Sequence, residues 1–463
     1  MNGCERKISI AGVTRFFGAA AVLACVTVAA QADTDTLEAQ IRKRAAAVEQ
    51  KLIAWRRDIH QHPELGDQET RTSELVARHL RALGLEVRTG VARTGVVGIL
   101  KGGRPGRTVA LRADMDALPV KEPPGLPFAS QAKGKTGGQE VDVMHACGHD
   151  AHTAMLMAAA EVLAGMRKTL PGTVMFIFQP AEEGSSVVPP GQSWGAKLML
   201  EEGLFKQTKP DAVFAVHVMP GPSGELSYRT GATAASSDFL DITTTGRQGH
   251  GGMPWNTVDP ITTSAFMISG LQTVVSRRAN LTTSPAVVTI GMINGGTGPN
   301  IVPETVQMRG TIRTYADATR RQVHEDIRLA AVNIAESAGA SAAVKITPNY
   351  DVTVNDEALA KRMAPVLKRA ADGRVSEAPL AGASEDFSFF AKETPGLYVF
   401  LGVTPRDQDP AKAAPNHNPR FFVDESALVV GTRTLAFLAV NVLASPATAE
   451  TQRHARQFIQ EER

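Results

Sequence analysis

The chain has 463 residues, of which 43% are hydrophobic and 21% are charged, and its formal net charge is +2. This composition is typical of a soluble globular protein, and the length predicts two or more domains because single cores rarely grow so large. The balanced charge and an aromatic content of only 5% argue against nucleic acid or an anionic membrane surface as partner.

Residues 1–32 have the pattern of a cleaved secretory signal. A basic segment containing Arg6 and Arg15 leads into a short apolar run, which ends at the small-x-small sequence Ala30-Gln31-Ala32. We therefore expect cleavage near Ala32, a periplasmic or secreted mature protein, and no membrane span in the mature chain. An uncleaved anchor and lipid attachment at Cys25 are the alternatives.

Two of the three cysteines, Cys4 and Cys25, lie inside this signal. The mature chain would keep only Cys147, which has no partner for an intramolecular disulfide. A single thiol kept in an oxidising compartment is explained well by metal ligation.

Hydrophobic periodicity predicts alternating helices and strands over residues 33–222, the expected first part of a catalytic domain. The helices are predicted at residues 36–57, 69–83 and 154–166, and the strands at 96–100, 108–111, 173–178 and 212–216. This order is typical of an α/β fold.

Residues 223–338 predict a separate small α+β sandwich, with one face of its sheet left uncovered by helices. Its predicted elements are helices at 259–278 and 317–338 and strands at 286–292 and 306–314, followed by a strand candidate at 344–349. Residues 339–445 return to the first domain, and residues 446–463 form a polar tail.

Three predicted strands are followed by side chains that bind metals. Asp114 and Asp116 follow the strand at 108–111, Glu182 and Glu183 follow the strand at 173–178, and His217 follows the strand at 212–216. Open α/β sheets place their active sites at the carboxyl ends of strands. Cys147 and His149 lie in a short segment just before a helix, and His417 lies in a later loop.

Five possible metal donors emerge from these segments: Cys147, His149, Glu183, His217 and His417. Thiolate, imidazole and carboxylate together suit zinc, manganese, nickel or cobalt better than calcium or magnesium. Five ligands exceed one closed tetrahedral site, whereas two divalent ions about 3.5–4 Å apart would use them all. Glu182 would stay free to take a proton from water and hand it to a leaving nitrogen. This is the chemistry of amide hydrolysis.

The chain resembles the metallopeptidase M20 family, in particular the amidohydrolase branch with hippurate hydrolases, auxin–amino acid conjugate hydrolases and bacterial aminoacylases. The resemblance spans nearly the whole mature chain in order. It rests on Arg57-Asp58-Ile59-His60-Gln61-His62-Pro63-Glu64-Leu65, Arg112-Ala113-Asp114-Met115-Asp116-Ala117-Leu118-Pro119, His145-Ala146-Cys147-Gly148-His149-Asp150, Gln179-Pro180-Ala181-Glu182-Glu183-Gly184, the His217 loop, Gly249-His250-Gly251-Gly252, Ser384-Glu385-Asp386-Phe387 and His417-Asn418-Pro419.

The resemblance implies a metal-dependent exopeptidase-like catalytic domain with a central mixed sheet, into which residues 223–338 are inserted as a lid or dimerisation domain. It also implies that the five donors bind the metals and that Glu182 acts as general base and then acid. In the wider family an aspartate bridges the metals. The resemblance implies that Cys147 takes that place here, so Asp116 is expected to orient a histidine ligand instead.

The resemblance further implies substrate contacts from the inserted domain. His250 is expected to hold the scissile carbonyl or the oxyanion, and Asn300 and Arg313 to bind the free carboxylate of the amino-acid half. The expected activity is hydrolysis of N-acyl-amino acids by a homodimer or higher homo-oligomer. A dipeptidase or carboxypeptidase is the alternative, since dipeptides offer the same bond. A binding protein without catalysis would lack a ligand or Glu182, and neither is missing.

Four further polar residues have open roles. We predict a structural role or one behind the metal ligands for His60 and His62. Glu385 and Asp386 either line the acyl pocket or cap a helix.

Overall fold

The computed structural model describes residues 13–189 and 191–445, with side chains described from Thr34 onward. Much of the predicted signal peptide, including the side chain of Cys25, therefore lies outside the described part of the chain. The predicted polar tail at 446–463 lies outside it as well.

The helices and strands alternate along much of the chain. The α-helices are α1 (Val13–Gln61), α2 (Thr70–Ala82), α3 (His149–Ala164), α4 (Gly195–Glu201), α5 (Pro260–Thr273), α6 (Asp317–Ser337), α7 (Glu357–Ala370), α8 (Phe387–Glu393) and α9 (Leu428–Leu443). The strands are β1 (Glu86–Val91), β2 (Gly95–Lys101), β3 (Arg104–Asp114), β4 (Lys133–Thr136), β5 (Gln139–Asp142), β6 (Pro171–Gln179), β7 (Ala212–Pro222), β8 (Leu226–Tyr228), β9 (Gly231–Ala234), β10 (Ser237–Thr245), β11 (Gly249–His250), β12 (Ala286–Gly295), β13 (Ile301–Val302), β14 (Thr305–Thr314), β15 (Ser341–Tyr350), β16 (Thr353–Asn355), β17 (Val375–Glu377) and β18 (Gly396–Thr404).

Within the described residues, eight strands form the main sheet in the order β1-β2-β6-β3-β7-β18-β8-β17. Strands β6, β3, β7 and β18 run parallel to one another, whereas β2 is antiparallel to β6. Helices α1, α3 and α9 pack into one core cluster and α4 and α8 into a second, so the central strands are apolar on both faces. The predicted α/β class with a mixed central sheet is confirmed.

A second sheet has the order β12-β14-β10-β15, and its neighbouring strands are antiparallel. Helices α5 and α6 cover one face, where Leu240, Met267 and Ile327 form its core. We call residues 237–350 the small domain and the rest of the described chain the main domain. The small domain begins and ends later than the predicted boundaries of 223 and 338. Strand β8 joins the main sheet, and β15 joins the small one.

One predicted strand is longer in the structure, and one strand of the small sheet was not predicted. Strand β7 continues through His217 to Pro222, because its pairing with β18 carries on past the predicted end at residue 216. Strand β10 was missed, although it lies between β14 and β15. Its hydrophobic alternation is interrupted by polar residues such as Asp238, which is buried because it pairs with Arg320.

In the described part of the chain one helical segment, Glu425–Leu443, is long and apolar enough to cross a membrane. Since 78% of its most apolar window is buried inside the protein, packing of α9 in the main core accounts for its apolar character.

Candidate metal centre

The site lies at the carboxyl ends of the neighbouring parallel strands β6, β3 and β7. Strand β3 ends at Asp114, the loop after β6 carries Glu182 and Glu183, and β7 carries His217. Because these strands are adjacent and parallel, their carboxyl ends meet at one edge of the sheet. The order of the strands thus brings together residues that are far apart in sequence.

Gly148 shapes the loop that presents Cys147. Its φ is +93°, and a Cβ atom at this position would lie 2.2 Å from Cγ2 of Val218. Only glycine fits such a left-handed, crowded position without strain. The turn at Gly148 starts α3 at His149 and keeps both Cys147 and His149 buried.

Two groups of possible metal donors share Cys147. The first is Cys147, His149 and His217, and the second is Cys147, Glu183 and His417; in each group the donor atoms lie within 4.8 Å of one another. The Sγ atom of Cys147 is 3.5 Å from Nε2 of His217, and Oε1 of Glu183 is 2.8 Å from Nε2 of His417. Two groups with one common member match two closely spaced cations that share a ligand.

Hydrogen bonds fix the orientation of the histidine rings. Nδ1 of His149 donates to the carbonyl oxygen of Asp116 at 2.9 Å and lies 3.1 Å from its Oδ1 atom. Nδ1 of His217 donates to the carbonyl oxygen of Val218 at 2.8 Å. The buried Nε2 atom of His149 has no hydrogen-bond partner among the described residues. Oδ2 of Asp114 is 3.8 Å from this Nε2 atom, beyond hydrogen-bond distance. A ring held at Nδ1, with no hydrogen bond at Nε2, is prepared for metal binding.

His152 lies close to these groups, but both of its ring nitrogens are already bonded. Nδ1 contacts Oδ1 of Asp114 at 2.6 Å, and Nε2 accepts the main-chain N–H of Val218 at 2.7 Å. His152 therefore supports the β7 end of the site and offers no free donor.

The electrostatics of the centre favour a cation. The His417 side chain forms hydrogen bonds with Cys147 and Glu183, and these bonds raise the pKa of His417 to about 10. The surroundings of Cys147 and Glu183 therefore stabilise a positive charge. A thiolate, three imidazoles and a carboxylate fit divalent transition-metal ions. Together with the unpartnered Nε2 of His149, this donor set fits two such ions.

Glu182 is buried beside Glu183, and its side chain is nearly free of strong hydrogen bonds. The main-chain N–H of Asp386 approaches its Oε1 atom at 3.4 Å, and the Tyr350 hydroxyl donates to its carbonyl oxygen. Burial raises the pKa of Glu182 well above its usual range, and the nearby Glu385, Glu183 and Asp386 raise it further. A carboxyl group of raised pKa beside a metal centre suits proton transfer.

Comparison with known proteins identifies the family. Residues 110–441 match the sequence profile of peptidase family M20/M25/M40. The chain belongs to this family.

Three relatives of this M20 protein align over most of its length. It is 38% identical over 404 residues to thermostable carboxypeptidase 2 of Saccharolobus solfataricus, covering 87% of this chain and 98% of that protein. It is 40% identical over 352 residues to hippurate hydrolase of Campylobacter jejuni, and this alignment covers 75% of this chain and 86% of that protein. A solved dinuclear metal-binding peptidase of the M20 family from Bacillus subtilis has 34% identity and a TM-score of 0.71. That match covers 87% of this chain and 100% of the solved one. The predicted resemblance is confirmed, and a centre for two divalent metals is supported.

The M20 protein buries an arginine behind the centre that sequence reasoning did not single out. Arg112 approaches Asp114 at 2.7 Å, Glu385 at 2.9 Å and Asp386 at 3.1 Å, all within the buried core. Oδ2 of Asp386 also accepts the main-chain N–H of Ala196 at the start of α4. Glu385 and Asp386 therefore balance the charge of Arg112, and Asp386 also holds the start of α4.

His60 connects α1 to the metal-binding loop. Its Nδ1 atom lies 2.8 Å from Oδ2 of Asp150, which follows His149, and its Nε2 atom lies 3.0 Å from Oε1 of Glu122. Glu122 was missed because nothing in its local sequence marks it. His62, in contrast, is exposed and contacts the carbonyl oxygen of Asp58.

The three predicted substrate-contact residues of the M20 small domain fall in two places. Arg313 donates to Oγ of Ser384 in the main domain at 2.9 Å. His250 and Asn300 are exposed, and they lie near the β11–β13 ribbon, where their described hydrogen bonds stay within the small domain. The structure thus brings together the five donors and Glu182, but it leaves His250 and Asn300 apart from them.

Proposed function

We propose that this protein hydrolyses the amide bond of N-acyl-amino acids. The observation that carries the proposal is the buried Glu182 directly beside two donor groups that share Cys147. When bound, two divalent ions would activate a water molecule and polarise the scissile carbonyl. The likeness to a protein named hippurate hydrolase supports an acyl-amino acid as the substrate.

The protein's own residues move the proton. Glu182 takes a proton from the water whose oxygen adds to the carbonyl carbon. As the C–N bond breaks, Glu182 gives this proton to the leaving nitrogen, so that a carboxylic acid and a free amino acid are formed. We propose that Arg313 binds the carboxylate of the amino-acid half, since its guanidinium group already reaches Ser384 beside the centre.

We propose that the small domain approaches the main domain when substrate binds. His250 and Asn300 are exposed and form their hydrogen bonds within the small domain. A movement of this domain would bring His250 to the scissile carbonyl and Asn300 to the substrate carboxylate. Closure of this kind also excludes water from the reaction.

The native ion is proposed to be zinc, manganese, nickel or cobalt, because thiolate and imidazole ligands dominate the donor set. Reconstitution of the stripped enzyme with each ion tests the metal.

Export to the periplasm or medium is proposed from the signal-like pattern of residues 1–32. Sequencing the amino terminus of the protein recovered from each cell fraction tests the export.

We propose a homodimer formed through the small domain. Strand β12 is the end strand of its sheet, and an unpaired edge is able to pair with a second chain. Met292 and Ile293 on this strand and Phe266 on α5 are large apolar side chains that stay exposed. Sedimentation at several protein concentrations tests this association.

A substrate panel tests the activity. The purified, metal-loaded protein should release amino acids from N-benzoyl- and N-acetyl-amino acids faster than it cleaves free dipeptides. The likeness to a carboxypeptidase favours peptide cleavage as the second candidate, which faster cleavage of dipeptides would establish. Absence of all these activities after reconstitution with each metal would refute the proposal.

A further inference from the structure

A cavity of about 230 Å³ lies between the main and small domains. Its aromatic walls are Trp194 and Phe389 from the main domain and Phe239 and Tyr350 from the small domain. A cavity of about 150 Å³ is enough to hold benzene. Since only 5% of the chain is aromatic, the meeting of four such side chains marks this cavity as suited to a flat apolar group.

The cavity lies along the uncovered face of the small sheet. On β10, Leu240 and Ile242 are buried beneath the helices, whereas Phe239 is 50% exposed on the opposite face. Phe239 pairs with Thr311, and Arg313, two residues farther along β14, points to the same side. The proposed carboxylate-binding arginine and the cavity therefore share one face of the sheet.

The same cavity adjoins the proposed catalytic base. Tyr350 donates its hydroxyl hydrogen bond to the carbonyl oxygen of Glu182, and Nε1 of Trp194 lies 3.3 Å from the Tyr350 oxygen. One wall of the cavity is thus bonded to the backbone of Glu182. A group bound here would be near both Glu182 and the sheet face that carries Arg313.

We infer that this cavity holds an aromatic ring of the substrate and makes the enzyme selective for ring-bearing acyl-amino acids. The inference rests on the proposed function. The ring belongs either to an aryl acyl group or to an aromatic amino-acid side chain, and both have the same flat apolar shape. Aromatic walls favour such a ring over a small acyl or alkyl group through offset and edge-to-face contacts.

Two substitutions test the inference from opposite directions. Phe239→Ala removes one wall, and Thr347→Trp fills the space, because Thr347 lines the cavity and pairs with Phe239 across the sheet. Leu329→Ala is the matched control, since this exposed small-domain residue lies on α6. The readout is kcat/KM for benzoylglycine and for acetylphenylalanine, each divided by kcat/KM for acetylalanine.

Both cavity variants should lower at least one of these ratios about tenfold, whereas Leu329→Ala should leave both ratios unchanged. A fall for benzoylglycine alone assigns the cavity to the acyl group, and a fall for acetylphenylalanine alone assigns it to the amino-acid side chain. Ratios that stay at the wild-type value in both variants overturn the inference.

Calorimetry separates this inference from the proposed function. Wild-type protein that hydrolyses none of the three compounds refutes the proposed function. Binding of benzoylglycine and acetylphenylalanine to the metal-loaded wild type and Phe239→Ala then decides the inference. About tenfold weaker binding of either compound to the variant supports the cavity as a ring site, and equal binding of both overturns it.

Discussion

Oδ1 of Asp116 lies 3.1 Å from Nδ1 of His149, on the side of the ring opposite the Nε2 atom, which has no hydrogen bond among the described residues. The other carboxylate oxygen of Asp116 accepts the main-chain N–H of Glu183 at 2.9 Å. One buried carboxylate therefore orients a donor from each of the two groups that share Cys147. Asp116 is placed to position ligands on both sides of the centre.

Replacing Asp116 by alanine should weaken metal binding about 10- to 100-fold, because it removes the support of His149 and of the Glu183 backbone. Competition with a chromophoric chelator measures the affinity. Asp241→Asn is the control, because this half-buried small-domain residue pairs with Arg309, and it should bind metal as the wild type does. Unchanged affinity in Asp116→Ala would remove this residue from the support of the centre.

Gly148→Ala should impair folding of the metal-binding loop as well as metal affinity. The new Cβ atom would meet Val218 at 2.2 Å in a left-handed backbone conformation. Gly137→Ala is the matched control: its φ is +58°, but no atom lies within 4 Å of the added Cβ, so it should cost only about 1–2 kcal/mol of unfolding free energy. Chelator competition and urea unfolding on both variants compare the two effects, and equal losses would contradict the steric account.

The small domain should lose stability in acid through Asp238. Burial raises the pKa of this carboxyl, but its bonds to His324 and Arg320 outweigh burial and leave the pKa below its usual value. Its stabilising effect is therefore full above the unfolded pKa of about 3.9 and is lost as the pH falls through the lower folded pKa.

Asp238→Asn should cost about 1–3 kcal/mol at neutral pH, because Arg320 and His324 lose a buried charged partner while Arg320 keeps its pair with Asp351. The variant should also show a weaker loss of stability below about pH 4 than the wild type. Asp241→Asn on the same strand should stay close to the wild-type slope, because the Asp241 side chain is 37% exposed and its pair with Arg309 is screened by solvent. Urea unfolding across this pH range would contradict the account if all three proteins had the same acid dependence.

Cys147 should be protected from oxidation by bound metal. As a thiolate between the two donor groups, it is exposed to peroxide only when the ions are removed. Stripped enzyme treated with peroxide should fail to recover activity with added metal, whereas metal-loaded enzyme given the same treatment should remain active. Full recovery of the stripped, oxidised enzyme would argue against a ligand role for Cys147.

Several features of the site could be predicted because they are local in sequence. The Cys147–His149 segment, the Glu182–Glu183 pair and the apolar strands before Asp114 and His217 all carry short-range patterns. Parallel pairing then implies that the ends of these strands meet.

The remaining features depend on contacts between distant segments. Glu122 meets His60, and Arg112 meets Glu385, only after folding. Strand β10 was missed because the partners of buried Asp238 lie in α6, far along the chain. The boundaries of the small domain differ from the predicted ones for a similar reason, since the local sequences of β8 and β15 do not show which sheet each strand joins.

The central claim is that Glu182 transfers the proton in hydrolysis and does not hold the metals. The direct test is turnover of an N-acyl-amino acid by Glu182→Gln, together with the metal content of the same sample. We predict that Glu182→Gln binds two ions per chain, as the wild type does, and that its kcat is lowered about 10²- to 10⁴-fold. Wild-type turnover at full metal content would contradict the account.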